Sequence, residues 1–163
     1  MAVRKFLARN HRFFINTDSG DYTAGTWVAV SGISSWSWSE DSSDADSSDF
    51  DNAGWTSSFV VSRGATLGFE GQYLVDEATG ARDSGQLLCE QGSKGFGPTA
   101  FKYLKVEAVN TARTTPIGSI IVLGSLSQGE TGGGMEDIQA FSIEAMVQGK
   151  PIGSGIYNIF DLA

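Results

Sequence analysis

The sequence predicts a mainly β fold with one short helix, on three grounds. Twenty-one glycines against three prolines, with Ser and Thr throughout, suit short strands joined by tight turns. Apolar and polar residues alternate in several stretches, the period-2 signature of a strand with one buried face. Only DSGQLLCEQGS (83–93) carries helix start and stop signals. At 163 residues the chain fits one domain, 1–163, large enough to bury roughly two-thirds of its unfolded surface in a single core.

Taken in order, TWVAVSG (26–32) is a run of high β-propensity that leads into ISSWSWSE (33–40). There Trp36 and Trp38 share one strand face, and Ser35, Ser37 and Ser39 the other. TSSFVV (56–61) and ATLGFEGQYLV (65–75) follow, the latter with Leu67, Phe69, Tyr73 and Val75 on one face. Gly68 and Gly71 thin that strand, a mark of close backbone approach or a bulge. In the helical window, Asp83 or Ser84 supplies the N-cap and Asp83 with Gln86 has capping-box spacing. Leu87 and Leu88 anchor the helix on a sheet, and Gly92 ends it in the left-handed conformation. FKYLKVEAV (101–109) puts Leu104, Val106 and Ala108 on one side. IGSIIVLGSLS (117–127), apolar on both faces, is the expected central strand. GETGGGMED (129–137) is a turn segment, and AFSIEAMV (140–147) places Phe141, Ile143, Ala145 and Val147 opposite Ser142, Glu144 and Met146.

Charge is distributed unevenly. Arg4, Lys5, Arg9 and Arg12 make residues 1–12 a basic arm of charge +4, whereas residues 13–62 hold eight carboxylates and no Lys or Arg. The remaining 101 residues hold eleven acids and seven bases, which completes the net charge of −8. Wrapping of DNA needs clustered cations on the phosphates, so this distribution argues against it, though not against a passage through which DNA slides. The arm suits docking on the acidic surface of another copy. No apolar run approaches the roughly 18 residues of a membrane span, and the basic start lacks the apolar stretch of a secretory signal, so residence in the cytoplasm is expected.

Sites for chemistry are few. His11, the only histidine, falls in the arm and reads as a surface residue; Cys89, the only cysteine, reads as a small packed hydrophobe rather than a nucleophile. A zinc site would have to share these two, and GSKGFGPT (92–99) lacks the spacing of a phosphate loop. Asp76, Glu77 and Asp83 offer acid pairs of the kind a glycoside hydrolase uses, with nothing to raise a pKa. DSSDADSSDFDN (41–52) has oxygen ligands for calcium but not the EF-hand order, and it reads as a solvated acidic loop, 40–55. Phe50 and Trp55 are ready anchors in or beside it for a partner. No enzyme, metal or cofactor is therefore expected. A binding module that takes calcium or carbohydrate with Trp36, Trp38 and the aspartates is the alternative class.

The stretch GISSWSWSEDSSDADSSDFDNAGWTSSFVVSRGATLGFEGQYLVDEATGARDSGQLL, with the later strands and SIEAMVQGKP near the end, resembles the major tail tube proteins of long-tailed bacteriophages over residues 25–152. The inner tubes of contractile tails and related injection machines share that fold. The resemblance implies a β-sandwich or half-barrel with a short flanking helix, closing into a larger β-barrel in a sixfold ring, and rings stacked into a hollow tube in a virion tail. It implies as partners other copies of the chain, then tape measure, terminator, baseplate or tip, and a sheath if the tail contracts, with DNA passing through unbound. The long loop reaches a neighbouring subunit or ring, which makes Arg4, Lys5, Arg9, Arg12, Trp36, Trp38, Asp44, Asp46, Asp49, Phe50, Asp51 and Trp55 the contact residues. Glu70 and Glu144 are the lumen-facing candidates, and 153–163 is a C-terminal tail. An acidic, serine-rich loop is the departure from the family pattern.

Overall fold

A computed structural model describes residues 6–48 and 55–160. Its strands are β1 (His11–Asn16), β2 (Trp27–Ala29), β3 (Ile33–Asp46), β4 (Ser58–Gln72), β5 (Phe101–Val109), β6 (Pro116–Gln128) and β7 (Ala140–Gly155). Between β4 and β5 come the helix α1 (Ser84–Ser93) and a 3-10 turn, Gly97–Ala100. All seven strands form one antiparallel sheet in the order β2-β1-β5-β6-β7-β4-β3, with β6 in the middle as its two apolar faces predict. The half-barrel is thus the observed form. The two outermost strands, β2 and β3, are consecutive in the chain and joined by Val30–Gly32, so the sheet curls without closing. That curl brings the rings of Phe13 on β1 and Trp36 on β3 to 6.3 Å between centroids.

The concave side holds the core, in the phase the alternation predicts. Leu104, Val106 and Ala108 are 0% exposed, and Leu67, Phe69, Phe141, Ile143 and Ala145 pack with them. Burial of each such Leu, Ile or Phe contributes about 1.5–3 kcal/mol, which is why this face fixes the register. Gly71 also does what a thinned strand implies. The Val30–Gly32 connector crosses there, and a Cβ on Gly71 would stand 2.0 Å from the Gly32 carbonyl oxygen. Gly32 itself needs φ +78°, a conformation that glycine adopts without penalty.

The helix starts as expected and then departs. Asp83 caps it, its carboxylate accepting from the Gln86 amide at 3.1 Å. Gln86 does not reach back to complete a capping box, because the Asp83 amide already donates to the Leu74 carbonyl. Its buried side chain instead donates to the carbonyls of Ser31 and Gln72 and accepts from the Leu74 amide, tying the helix to the connector and the end of β4. Leu88 and Cys89 face the core, while Leu87 is exposed. The helix ends at Lys94 in right-handed geometry, not at a left-handed Gly92. Gly92 is small because Leu126 lies where its Cβ would be, at 2.8 Å.

Three boundaries change. Asn10 and His11 are buried, and the Val109 amide donates to the Asn10 carbonyl, so the N-terminal arm gives way to sheet before residue 12. The acidic segment is not a loop throughout: Glu40–Asp46 is the outer part of β3, since SFVVSRGA (58–65) across from it supplies the backbone partners that composition cannot reveal. At the other end, 153–155 belong to β7, and Tyr157 and Phe160 fold back onto the core. Arg4, Lys5, Asp49, Phe50 and Asp51 lie outside the described residues.

Candidate functional site

The feature that stands apart is a two-stranded ribbon. Pairing of β4 with β7 stops at Thr66 and Met146; beyond it β4 runs from Ala65 back to Ser58 paired with β3 alone. From Glu40 to Asp46 this ribbon is roughly 20 Å long at about 3.3 Å per residue. Ser47 and Ser57 continue it through a backbone hydrogen bond of 2.8 Å. Among the described residues no further strand pairs with either of its edges. Its apolar side chains are uncovered as well: Phe59 is 57% exposed, Val61 54% and Trp55 82%. A hairpin of this kind is marginal alone in water, and a long free edge is a template for another chain.

Charge on the ribbon is one-sided. Glu40, Asp41, Asp44 and Asp46 lie on its β3 strand, with Arg63 the one cation on the other. The Asp46 carboxylate is held below its ordinary range by hydrogen bonds from Ser48. Trp38 donates from its indole nitrogen to Glu40 at 3.0 Å and stacks near Phe160, ring centroids 5.8 Å apart. Trp36 packs between His11 and Phe13. Both tryptophans, partly buried, pack within the chain. Sequence reasoning missed Phe160 and Tyr157, whose role depends on the chain folding back on itself.

His11 corrects its reading as a surface residue. It is 6% exposed, not on the surface. Its Nδ1–H donates to the Ala8 carbonyl at 2.8 Å, which fixes the tautomer and leaves Nε2 to accept from the Tyr157 hydroxyl. Burial lowers its pKa, against the opposing effect of the Ala8 bond. Beside it a cavity of about 560 Å³ opens between β1 and β3, lined among others by Arg9, Arg12, Trp36 and Arg113. Arg12 donates to the Arg113 carbonyl and Arg113 to the Arg9 carbonyl, so the Arg12 and Arg113 side chains are tied to one stretch of backbone, and Arg9 lines the same cavity.

The convex side of the sheet is polar where β3, β4, β7 and β6 meet. Glu70 stands opposite Ser35 and Ser142, and Glu144 opposite Gly68 and Ser127, so the two carboxylates share this face. Ser37, Thr66 and Ser125 lie around them, and no Lys or Arg of these four strands shares the Glu70–Glu144 row. Lys105 on β5 lies further round the sheet, stacked on Phe14 and Trp27 and 3.8 Å from Glu107.

Catalytic or metal chemistry finds little to use. Among the described residues no group of three His, Cys, Asp or Glu could hold a metal ion. Cys89 is fully buried and its thiol is pushed up to about 12 by that burial, which removes the thiolate a nucleophile needs. Asp76 and Asp83 are taken by local bonds to Ala78 and Gln86. Among the described residues no helix is long and apolar enough to cross a membrane.

No sequence-family profile and no curated protein matches the chain. Solved structures do match its fold. A component of the tail of an empty GTA particle, refined helically with C6 symmetry, superposes with a TM-score of 0.62 at 11% identity, over 93% of this chain and all of that one. A chain of an extracellular contractile injection system, the PVC sheath–tube complex in the extended state, gives 0.62 at 10% identity, over 93% of this chain and 92% of that one. A chain of the anti-feeding prophage tube-terminating cap gives 0.63 at 11%, over 95% of each. The chain has the fold of tube and tube-terminator proteins of phage-like tails and injection systems.

Proposed function

We propose that this chain is a structural subunit of a hollow tail tube, in which copies form six-membered rings and the rings stack into a conduit for DNA. The ribbon carries this reading: β3 and β4 continue past the sheet with both edges and their apolar side chains uncovered, which one copy alone cannot satisfy. The fold shared with a tail refined in C6 symmetry supports the ring number. In the ring the curled, unclosed sheets join into a larger barrel, and the face with Glu70 and Glu144 lines the lumen. An anionic row without Lys or Arg lets phosphates slide, because each cation supplied there would add a phosphate contact. Arg9, Arg12, Asp44, Asp46 and Trp55 lie at contacts between copies. Tape measure, terminator and baseplate proteins are the further partners in the tail, with assembly in the host cytoplasm.

The same fold occurs beside a sheath in the PVC sheath–tube complex, so a tube inside a contractile sheath is the second form of this reading. Negative-stain electron microscopy of the purified protein, with light scattering over a concentration series, tests the proposal. Hollow tubes of uniform width are the expected result. A protein that stays monomeric at every concentration, even when seeded with isolated tail tips, would sink it.

A further inference from the structure

The tube reading leaves open how the acidic ribbon is received, and the strand directions constrain the answer. β1 starts at the edge of the sheet where His11 pairs with Ala108, and the β5–β6 turn that carries Arg113 follows directly. β7 ends there too, with Gly155 opposite Gly118. The ribbon leaves β7 at Met146 and runs in the direction of β7, toward that same end. Ribbon and arginines therefore share one end of the sheet.

The opposite end is acidic. Its connections, residues 17–26, 73–83 and 129–139, hold eight carboxylates and one base, Arg82, which is already bound to Glu90. An acidic ribbon that met this end in a neighbouring ring would set like charges against each other, an arrangement costly at contact distance. At the ribbon's own end, Arg9, Arg12 and Arg113 have no carboxylate within ion-pair distance among the described residues. They border an open cavity of about 560 Å³ floored by Phe13 and Trp36.

From this charge pattern, and resting on the tube reading, we infer that the arginine cluster Arg9–Arg12–Arg113 receives the acidic ribbon, Glu40–Asp46, of a second copy beside it in the same ring. The ribbon is a lateral clasp. Its carboxylates meet the guanidinium groups, its apolar residues leave water, and the free β3 edge gains a neighbour.

Two single-cysteine variants, Arg9→Cys and Asp44→Cys, test this when mixed before assembly and mildly oxidised. Cys89 stays out of the reaction because it is fully buried. A covalent heterodimer within wild-type-like tubes is expected, since residue 9 of one copy and residue 44 of another must touch. As a second arm, Arg9→Glu with Arg113→Glu should raise the concentration needed for tubes about tenfold, the order expected for lost interfacial charge pairs. Adding Asp44→Lys and Asp46→Lys to the same chain should restore assembly. Circular dichroism of each unassembled variant confirms that it folds. Wild-type tubes with no heterodimer, and charge-reversed variants that assemble like wild type, would overturn the clasp while leaving the tube intact. Arginine variants that assemble normally and differ only in retention of DNA would assign the cluster to phosphates and overturn it as well. Absence of tubes from wild type under all conditions removes the tube reading and the clasp together.

Discussion

Glu90 is a carboxylate held under the helix, and its partners determine what it does. Its oxygens accept from Gln128 at 3.0 Å, from the Tyr73 hydroxyl and from the Arg82 guanidinium, while Arg82 stacks over the Tyr73 ring at 4.7 Å. Burial first, and Glu90 next, raise the Tyr73 pKa, so the phenol stays protonated and donates. Glu90→Ala would leave three donors without their acceptor and is expected to cost about 3 kcal/mol, the upper end for hydrogen bonds to a charged group. Glu90→Gln, which keeps the shape and an acceptor, should cost less; urea unfolding of the unassembled chain compares them. His11 gives a pH dependence of definite sign. Its folded pKa lies below the ordinary 6.5, so the unfolded chain binds the proton more readily. Stability is full above 6.5 and falls as pH drops from there through the lower folded value. Melting temperatures across that window should show the loss in the wild type and its removal in His11→Gln.

At the scale of elements, the strands were legible because one buried face imposes alternation, and β5, β6 and β7 lie where their apolar phases predict. The ribbon was not. Its β3 side reads as solvated loop, because Ser and Asp disfavour strands and only the partner strand explains their extended form. His11 and the C-terminal segment were misread for a related reason: each is buried by a residue distant in sequence, Tyr157 for one and Trp38 for the other. Gln86 lost its capping-box role to a contact 55 residues away, at Ser31. Of the proposed contact residues, the charge pattern of the arm and ribbon was visible in the sequence, but Arg113 was not, since a turn residue has no periodicity to mark it. The ribbon should also be separable from the fold. Replacing residues 44–61 by Asn-Gly closes β3 and β4 with a two-residue turn at the Ser43–Ser62 pair. That variant is expected to melt within a few degrees of wild type and to form no tubes, as calorimetry and electron microscopy would show. A variant that still polymerises would remove the ribbon from the assembly.

For the whole molecule, the two sheet faces divide the work. The concave face is closed by helix, connector and returning C-terminal segment, and the convex face is left polar with Glu70 and Glu144 upon it. Glu70→Lys with Glu144→Lys changes only exposed positions, so stability should move by no more than about 0.5 kcal/mol. If that face lines the lumen, tubes of the variant should retain DNA fragments in a salt-dependent way, and wild-type tubes should not. Equal release from both would place the two carboxylates on the outside.

The sheet's order also sets a timetable. β1 has no full-length partner until β5 exists, because Phe13 pairs with Val106 and the intervening ribbon and helix must be made first. β4 has β3 as an early partner, but its other edge waits for β7, Phe69 for Ile143. On a ribosome the chain therefore emerges with its first strands and its ribbon unsheltered, and the nearest similar surface belongs to the next nascent copy on the same message. Local hairpins β5–β6 and β6–β7 form quickly, but the curl joins the earliest-made residues to the latest, so the arginines and the ribbon acquire their final places only near the end of synthesis. The order of strands thus leaves the arginine end and the anchorage of the ribbon incomplete until the chain is nearly whole.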